Sequence, residues 1–322
     1  MPERRVCKAC VLAENPPDVA IGADGLCSVC AGFEARSTEP LLETDLVKLL
    51  ARYRDKGKYD CLSMCSGGKD STAALYYMKK RYKLNVLAFM FDHGFEPEGA
   101  VANVKRAVER LGVDFLPVRS TEMHPLFAEV LRSHPEVVIC HVCAIWYMDL
   151  TFKTAERLGI PIIVGGWTRG QSSRRPDAAE SEPEFAKMSA ATKAFLEARY
   201  PGRPSSMAAV VKRAMKRRET LVLSPHWFLP FGAETYVETI RRELGWEPAS
   251  LSYPAGSTNC LLNFLSVRNS MEYYGYTHYH VEMSRMIREG LLTRDEALEA
   301  LRIDFDPGLL DRIASSLGCR VD

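Results

Sequence analysis

Between residues 59 and 165, short apolar segments alternate with longer helical ones. That alternation constrains the fold of this 322-residue chain more than any other feature. Tyr59 to Cys65 reads as a buried strand and Ser71 to Tyr82 as a helix. Leu84 to Phe91 is a second strand, followed by a helix from Glu98 to Leu111 and a short third strand from Asp114 to Val118. Cys143 to Leu158 is again helical, and Ile160 to Gly165, entered through Pro161, is a fourth strand. Strands separated by helices pair in parallel through right-handed crossovers, so the expected class is α/β with a doubly wound parallel sheet. A helix from Glu43 to Arg54 precedes this region. After it come helices at Thr235 to Leu244, Asn263 to Tyr274, Glu282 to Glu289 and Thr293 to Leu301, the last opened by a Thr293–Glu296 capping box. From Thr168 to Arg218 the pattern weakens: Arg174 to Glu184 reads as an exposed loop, and helical pieces end in the basic run Lys212 to Arg218. The expected organisation is a cysteine-rich module over residues 1–40, an α/β domain over 41–225 and a mostly helical region over 226–322.

The first strand runs directly into Ser66-Gly67-Gly68-Lys69-Asp70-Ser71, and a helix starts there. Two glycines let the backbone turn tightly and approach a ligand, while the helix start offers unpaired N–H groups and a positive dipole end. Lys69 adds a mobile cation, and the Ser66 and Ser71 hydroxyls can donate to phosphate oxygens. The spacing is not that of the Walker loop, which has four residues between its Gly and its Gly-Lys. The plain alternative is a strand-to-helix turn with Ser71 as helix cap. A phosphate site is favoured because these residue types coincide at a strand end of a parallel sheet, where ligands bind.

The block resembles the SGGxDS signature of the PP-loop ATP pyrophosphatases, a likeness that covers roughly residues 58 to 170. It implies a PP-loop/HUP-type sheet, cleavage of ATP between its α- and β-phosphates, and transfer of AMP to a carbonyl or amide oxygen. By the same resemblance Ser66, Gly67, Gly68, Lys69, Asp70 and Ser71 hold pyrophosphate, with Lys69, Asp70 and Ser71 as the catalytic residues. Phe91 and Asp92, in Phe91-Asp92-His93-Gly94, resemble the family's adenosine-side segment, and Gly165-Gly166 another nucleotide-lining turn. Mg²⁺ is implied by the triphosphate rather than by any protein ligand set.

Ten cysteines are many for such a chain, and six form the pairs Cys7/Cys10, Cys27/Cys30 and Cys140/Cys143. In a reducing compartment such pairs point to metal or redox chemistry rather than disulfides. Sixteen residues separate Cys10 from Cys27, a spacing that suits a four-thiolate Zn²⁺ site. Such a shell is closed and leaves no open position for catalysis; redox activity is the alternative. Cys140-His141-Val142-Cys143 has no second pair nearby, and Cys260 is a distant third ligand candidate. Three thiolates could hold a [4Fe–4S] cluster with one iron free, the alternative being packed, inert thiols. Cys61, Cys65 and Cys319 read as packing residues. His93, His141, His278 and His280 are candidate acid–base groups to which no role is assigned.

The outer segments resemble the N-acetyl sugar amidotransferases, PP-loop enzymes of surface-polysaccharide biosynthesis. Cys7-Lys8-Ala9-Cys10-Val11-Leu12 with Asp24 to Cys30 resembles their start, and Cys140-His141-Val142-Cys143-Ala144 their central motif. Phe228-Leu229-Pro230-Phe231-Gly232, Leu244-Gly245-Trp246 and Ile287 to Ala297 resemble their C-terminal signature. Residues 171 to 216 fit no pattern of that family. The resemblance implies an N-acetylated sugar nucleotide as acceptor, with ammonia displacing AMP. No glutaminase signature is present, so ammonia would come from a partner glutaminase. The same cysteine pattern resembles the iron–sulfur PP-loop tRNA thiolation enzymes, which implies the alternative: sulfur transfer to tRNA or a small molecule. A non-catalytic nucleotide-binding protein is a third reading.

Composition bears on that choice. The formal net charge is +1, so no global field recruits nucleic acid or an anionic membrane. The run Lys212 to Arg218 could contact RNA phosphates, yet few aromatics interleave it, and a solvated helix face explains it as well. Hydrophobic and charged fractions of 47% and 26% are those of an ordinary globular protein. The first residues lead into cysteines rather than an apolar run, and no stretch approaches a membrane span. A cytoplasmic homo-oligomer is expected.

Overall fold

The computed structural model describes residues 4–34, 41–168, 183–217, 220–254 and 260–320. The chain opens with a small unit held by antiparallel bridges Val6–Ala13, Asn15–Val19 and Ile21–Cys27, closing on the one-turn helix α1 (Ser28–Ala31). Helix α2 (Glu43–Tyr53) leads into β1 (Cys61–Met64), α3 (Lys69–Tyr76), β2 (Val86–Asp92), α4 (Glu98–Leu111) and β3 (Asp114–Arg119). Then follow α5 (Met123–Ser133), α6 (Ile139–Arg157), β4 (Ile162–Val164), α7 (Ala186–Arg199), α8 (Met207–Arg217) and β5 (Leu221–Leu223). Helices α9 (Ala233–Leu244), α10 (Leu262–Tyr274), α11 (His278–Arg288), α12 (Arg294–Ala300) and α13 (Pro307–Ser316) complete the chain.

The five strands form one sheet in the order β3-β2-β1-β4-β5, every neighbouring pair parallel. Successive side chains of a strand face opposite ways, and the sheet accordingly separates two cores. Leu62, Leu87, Phe89 and Ile163 face a core closed by α5, α6, α7, α8, α10 and α13. Cys61, Val86, Ala88, Met90, Ile162 and Val164 face a second core closed by α2, α3, α4 and α9. Burial on both faces is why the strands read as continuous apolar runs. Winding proceeds outward from β1 to β3, then restarts beside β1 at β4. The strand order therefore reverses between β1 and β4, which opens a crevice at their carboxyl ends.

The expected doubly wound parallel sheet is observed, with differences of detail from the sequence pattern, among them a last helix, α13, that the pattern did not name. The strand β5, three residues long, is too short to show a period. Helix α5 carries Pro125 in its first turn, where a missing N–H costs nothing, so its proline reads as a breaker in sequence and is none in the fold. Helix α6 starts at Ile139, so Cys140 and Cys143 lie on its first turns rather than ahead of it. Helix α3 continues as a π-helical turn over Tyr77–Arg81. Most of the expected Arg174 to Glu184 loop lies outside the described residues; its end, Pro183–Phe185, is a 3₁₀ turn. The basic run is helical to Arg217, and Arg218 lies outside the described residues. The Thr293–Glu296 capping box is formed. Among the described residues no helix is long and apolar enough to cross a membrane.

The N-terminal unit has its own core, in which Cys7, Cys10, Leu12, Val19 and Cys27 pack with Val138, Met188, Tyr274, Tyr276 and Val281. Arg4 ties it down, donating to the Tyr274 carbonyl at 2.6 Å and the Glu14 carbonyl at 3.3 Å.

Candidate nucleotide site and cysteine centres

The Ser66–Ser71 loop joins β1 to α3 at the crevice. Gly67 takes φ +80°, and a Cβ there would lie 2.1 Å from the Ala100 carbonyl oxygen, so only glycine fits. Its own carbonyl is gripped from outside by the Asn103 amide at 3.1 Å and the Trp246 indole N–H at 2.9 Å. In a trans peptide the Gly68 N–H points the opposite way, and it donates to Ser66 Oγ at 3.4 Å. Gly68 is the N-cap of α3 and contributes no side-chain cap. The helix therefore starts with backbone donors that a ligand can use. The Ser66 and Ser71 hydroxyls meet at 3.1 Å, and Ser71 Oγ also accepts from the Ser66 N–H at 3.2 Å. The two hydroxyls are thus gathered at one point of the turn.

Asp70 is a buried carboxylate beside this turn. Lys69 Nζ lies 3.0 Å from one of its oxygens, Tyr236 OH donates to the other, and His226 Nε2 lies 2.9 Å from its backbone carbonyl. Burial holds His226 below its ordinary pKa, so its neutral ring meets the carbonyl as an Nε2–H donor. Gly166 closes the other side: a Cβ on it would stand 2.5 Å from the Ser71 amide nitrogen. The turns after β1 and β4 are therefore in backbone contact at the reversal of strand order. Gly165 packs on the Trp167 ring, which stacks on Trp227 at 6.2 Å. At the end of β2, Phe91 packs near Tyr147 and Asp92 accepts from the Gly94 N–H at 2.9 Å. All ten residues named for nucleotide contact thus lie along the carboxyl edge of β1, β2 and β4.

Asn103, His226, Tyr236 and Trp246 were not among the sequence-derived candidates. Only Asn103 carries a local signal: it is a buried polar residue in the apolar stripe Ala100, Val104, Ala107, Leu111 of α4.

The four N-terminal cysteines converge. Their sulfurs all lie within 4.8 Å of one another, with Cys10 and Cys27 at 3.7 Å. A tetrahedron of thiolates at zinc bond lengths of about 2.3 Å has edges of about 3.8 Å, so the donor set fits a single tetrahedral ion. Backbone N–H groups of Cys27 and Cys30 donate to the Cys7 and Cys27 sulfurs at 3.2 and 3.3 Å. Hydrogen bonds donated by Cys27 and Cys30 pull the Cys10 thiol down to about 2, while Cys27 and Cys30 are pushed up. Such a group ionises in full only with a cation at its centre.

Cys140, Cys143 and Cys260 also meet, more loosely. Burial raises all three, Cys140 to about 11, and Cys143 feels both of the others as well as Glu96. Cys260 Sγ lies 3.7 Å from His93 Nε2, and His93 lies 3.2 Å from Glu96. The Phe95 N–H donates to His93 Nδ1 at 3.3 Å, so the proton of the neutral ring sits on Nε2, facing sulfur and carboxylate. Leu261 N–H donates to the Phe95 carbonyl at 2.9 Å, which pins the Cys260 segment to the loop after β2. That loop follows directly on Phe91 and Asp92, the last residues of β2, and so links the candidate nucleotide edge to the three-cysteine centre. Among the described residues this trio does not form a set within 4.8 Å.

No protein-family model matches the chain. A curated relative, an uncharacterized protein of Methanocaldococcus jannaschii, is 22% identical over 250 residues, which span 77% of this chain and 74% of the relative. Among solved structures, the U34-tRNA thiolase NcsA of Methanococcus maripaludis with its [4Fe–4S] cluster aligns at TM-score 0.39 and 16% identity, over 94% of this chain and 91% of that one. The NMN synthetase of Francisella tularensis aligns at TM-score 0.40 and 11% identity, over 82% and 96%. The NH₃-dependent NAD synthetase of Campylobacter jejuni aligns at 0.34 and 13%, over 54% and 92%. At these scores the likeness does not extend to chemistry.

Proposed function

We propose that the chain is a PP-loop enzyme that cleaves ATP to pyrophosphate and an adenylated acceptor, whose activated carbonyl or amide oxygen is then displaced by a nitrogen nucleophile. The observation that carries this reading is the backbone contact between the Ser66–Ser71 turn and Gly166 at the reversal of strand order. There the Ser66 and Ser71 hydroxyls meet at the start of α3, and the neighbouring Lys69 ammonium pairs with Asp70. In such a cradle the donors bind pyrophosphate, and Lys69 offsets charge that develops on the phosphates as the α–β bond breaks. Mg²⁺ arrives with the nucleotide. Asp70, held by Tyr236 and Lys69, positions the Lys69 ammonium. The acceptor is an N-acetylated sugar nucleotide and the attacking group ammonia from a glutaminase partner. The resemblance of the outer motifs to the amidotransferases supports this choice.

Sulfur transfer is the second reading, favoured by the convergence of Cys140, Cys143 and Cys260 beside the candidate nucleotide edge. If a [4Fe–4S] cluster binds there, its free iron can carry hydrosulfide; this chain's part is to hold the cluster through three thiolates, with His93 and Glu96 closing one side.

Pyrophosphate release decides between them. The first reading expects release that depends on an N-acetylated sugar nucleotide and ammonium, abolished in Lys69→Ala and retained in Cys260→Ala. Release that instead requires sulfide and tRNA, and is lost in Cys260→Ala, overturns it in favour of the second. Nucleotide binding without pyrophosphate under either condition overturns both.

A further inference from the structure

The four-cysteine group is encircled by cations from the far end of the chain. Arg294, the first residue of α12, donates from Nε to the Cys10 carbonyl at 3.0 Å and from its terminal nitrogen to the Cys7 carbonyl at 3.3 Å. It thus spans the whole Cys7-x-x-Cys10 turn. Arg288, at the end of α11, pairs with Glu184 at 2.7 Å, both side chains being buried, and lies close enough to Cys30 and Cys10 for its charge to act on them. Ser284, one turn earlier, accepts from the Val11 N–H at 3.3 Å. Hydrogen bonds to the Cys7–Cys10 turn and the residue after it therefore come from Ser284 and Arg294, while the Arg288 charge stands beside Cys30.

Charge gives this arrangement its purpose. Four thiolates around a divalent ion carry a net charge of −2, and a buried anion is costly unless cations or N–H donors face it. The two backbone N–H···S bonds supply part of that. Glu184 shares the charge of Arg288, whereas the described hydrogen bonds of Arg294 both go to the cysteine turn.

We propose that Arg294, assisted by Arg288, is the charge-compensating positioning residue of the four-cysteine centre, so that α11 and α12 set the metal affinity of the N-terminal module. This inference is independent of the nucleotide chemistry.

Outer partners of metal ligands typically change affinity about 10- to 100-fold. The test is a chelator competition for Zn²⁺ on the full chain. Arg294→Lys keeps the cation and loses the two-point fork; Arg294→Gln keeps a donor and loses the charge. We expect Arg294→Gln to weaken Zn²⁺ binding about 10- to 100-fold and Arg294→Lys to stay much closer to the unaltered protein. With Co²⁺ in place of Zn²⁺, the thiolate-to-metal absorption should shift in Arg294→Gln. Arg4→Gln serves as control: Arg4 also ties the module to the body, through the Tyr273 and Tyr274 carbonyls, and its described hydrogen bonds go to no cysteine. The double variant Arg288→Gln/Glu184→Gln, which removes a buried pair without stranding a charge, should weaken binding further when combined with Arg294→Gln. Unchanged affinity in Arg294→Gln overturns the proposal. So does equal weakening in Arg294→Lys, or the same loss in Arg4→Gln, either of which would make the contact one of docking rather than charge.

Discussion

The Trp246 indole donates to the Gly67 carbonyl at 2.9 Å, across 179 residues of sequence. The last residue of the Leu244-Gly245-Trp246 segment thus sets the orientation of a peptide in the first strand-to-helix turn. Asn103 shares the task and also braces Glu247, accepting from its N–H at 3.1 Å and donating to its carbonyl at 2.7 Å. The C-terminal signature and the nucleotide turn are one assembly.

Trp246→Phe keeps the packing and deletes one donor. A single hydrogen bond contributes roughly 0.5–1.5 kcal/mol, so pyrophosphate release should fall about 2- to 10-fold. Asn103→Ala should cost more, because it also frees two Glu247 groups. Steady-state kinetics with varied ATP measures both, and wild-type values in Asn103→Ala would refute the bracing role.

Gly166→Ala would drive a Cβ into the Ser71 amide nitrogen at 2.5 Å. Backbone has no rotamer to yield, so the two turns must part. A shift of about 1 Å at reacting groups costs about 100-fold, and pyrophosphate release should drop by at least that while circular dichroism stays unchanged. Gly112→Ala, with nothing within 4 Å of its added Cβ, is the comparison variant; its φ of +59° predicts a small loss of stability and none of activity.

Acid should unfold the protein in a defined window. Burial lowers His278 to about 3 and His280 to about 4 from 6.5, with His141 adding to the effect on His278. Both bind a proton in the unfolded chain at a pH where the folded chain refuses it. Their contribution is complete above about 6.5 and is lost as pH falls from there toward 4. Melting temperature measured across that range should decline, and His278→Asn should flatten the decline. An unflattened curve would count against this origin.

Leu62, fully buried at the centre of β1, faces the core built by α5, α6 and α10. Leu62→Ala should lower unfolding stability by about 2–5 kcal/mol. Urea denaturation should show this as a lower midpoint at unchanged slope.

The parallel sheet, the β1 turn and the four-cysteine unit were all legible in the residue order. Each rests on chemistry between near neighbours: apolar runs broken by helical stretches, two glycines beside a lysine, and cysteines with two residues between them. Gly67 and Gly166 announced close backbone approach without saying to what; Ala100 and Ser71 are the answers, and they come from α4 and α3. The strand β5 went unseen because three residues carry no period, and α5 because Pro125 is harmless only at a helix start.

What the residue order settled by itself is where the glycine–lysine turn and the paired thiols stand in the chain, because both are local patterns. Tertiary structure alone decided what holds them. Trp246 and Asn103 clamp Gly67, His226 and Tyr236 hold Asp70, His93 meets Cys260, and Arg294 spans the Cys7–Cys10 turn. Each of these is a single hydrogen bond or contact between residues far apart in sequence, and no short-range pattern encodes such a pairing. The alternation of strands and helices with which the chain announces its fold is also what brings those distant residues to one edge of the sheet.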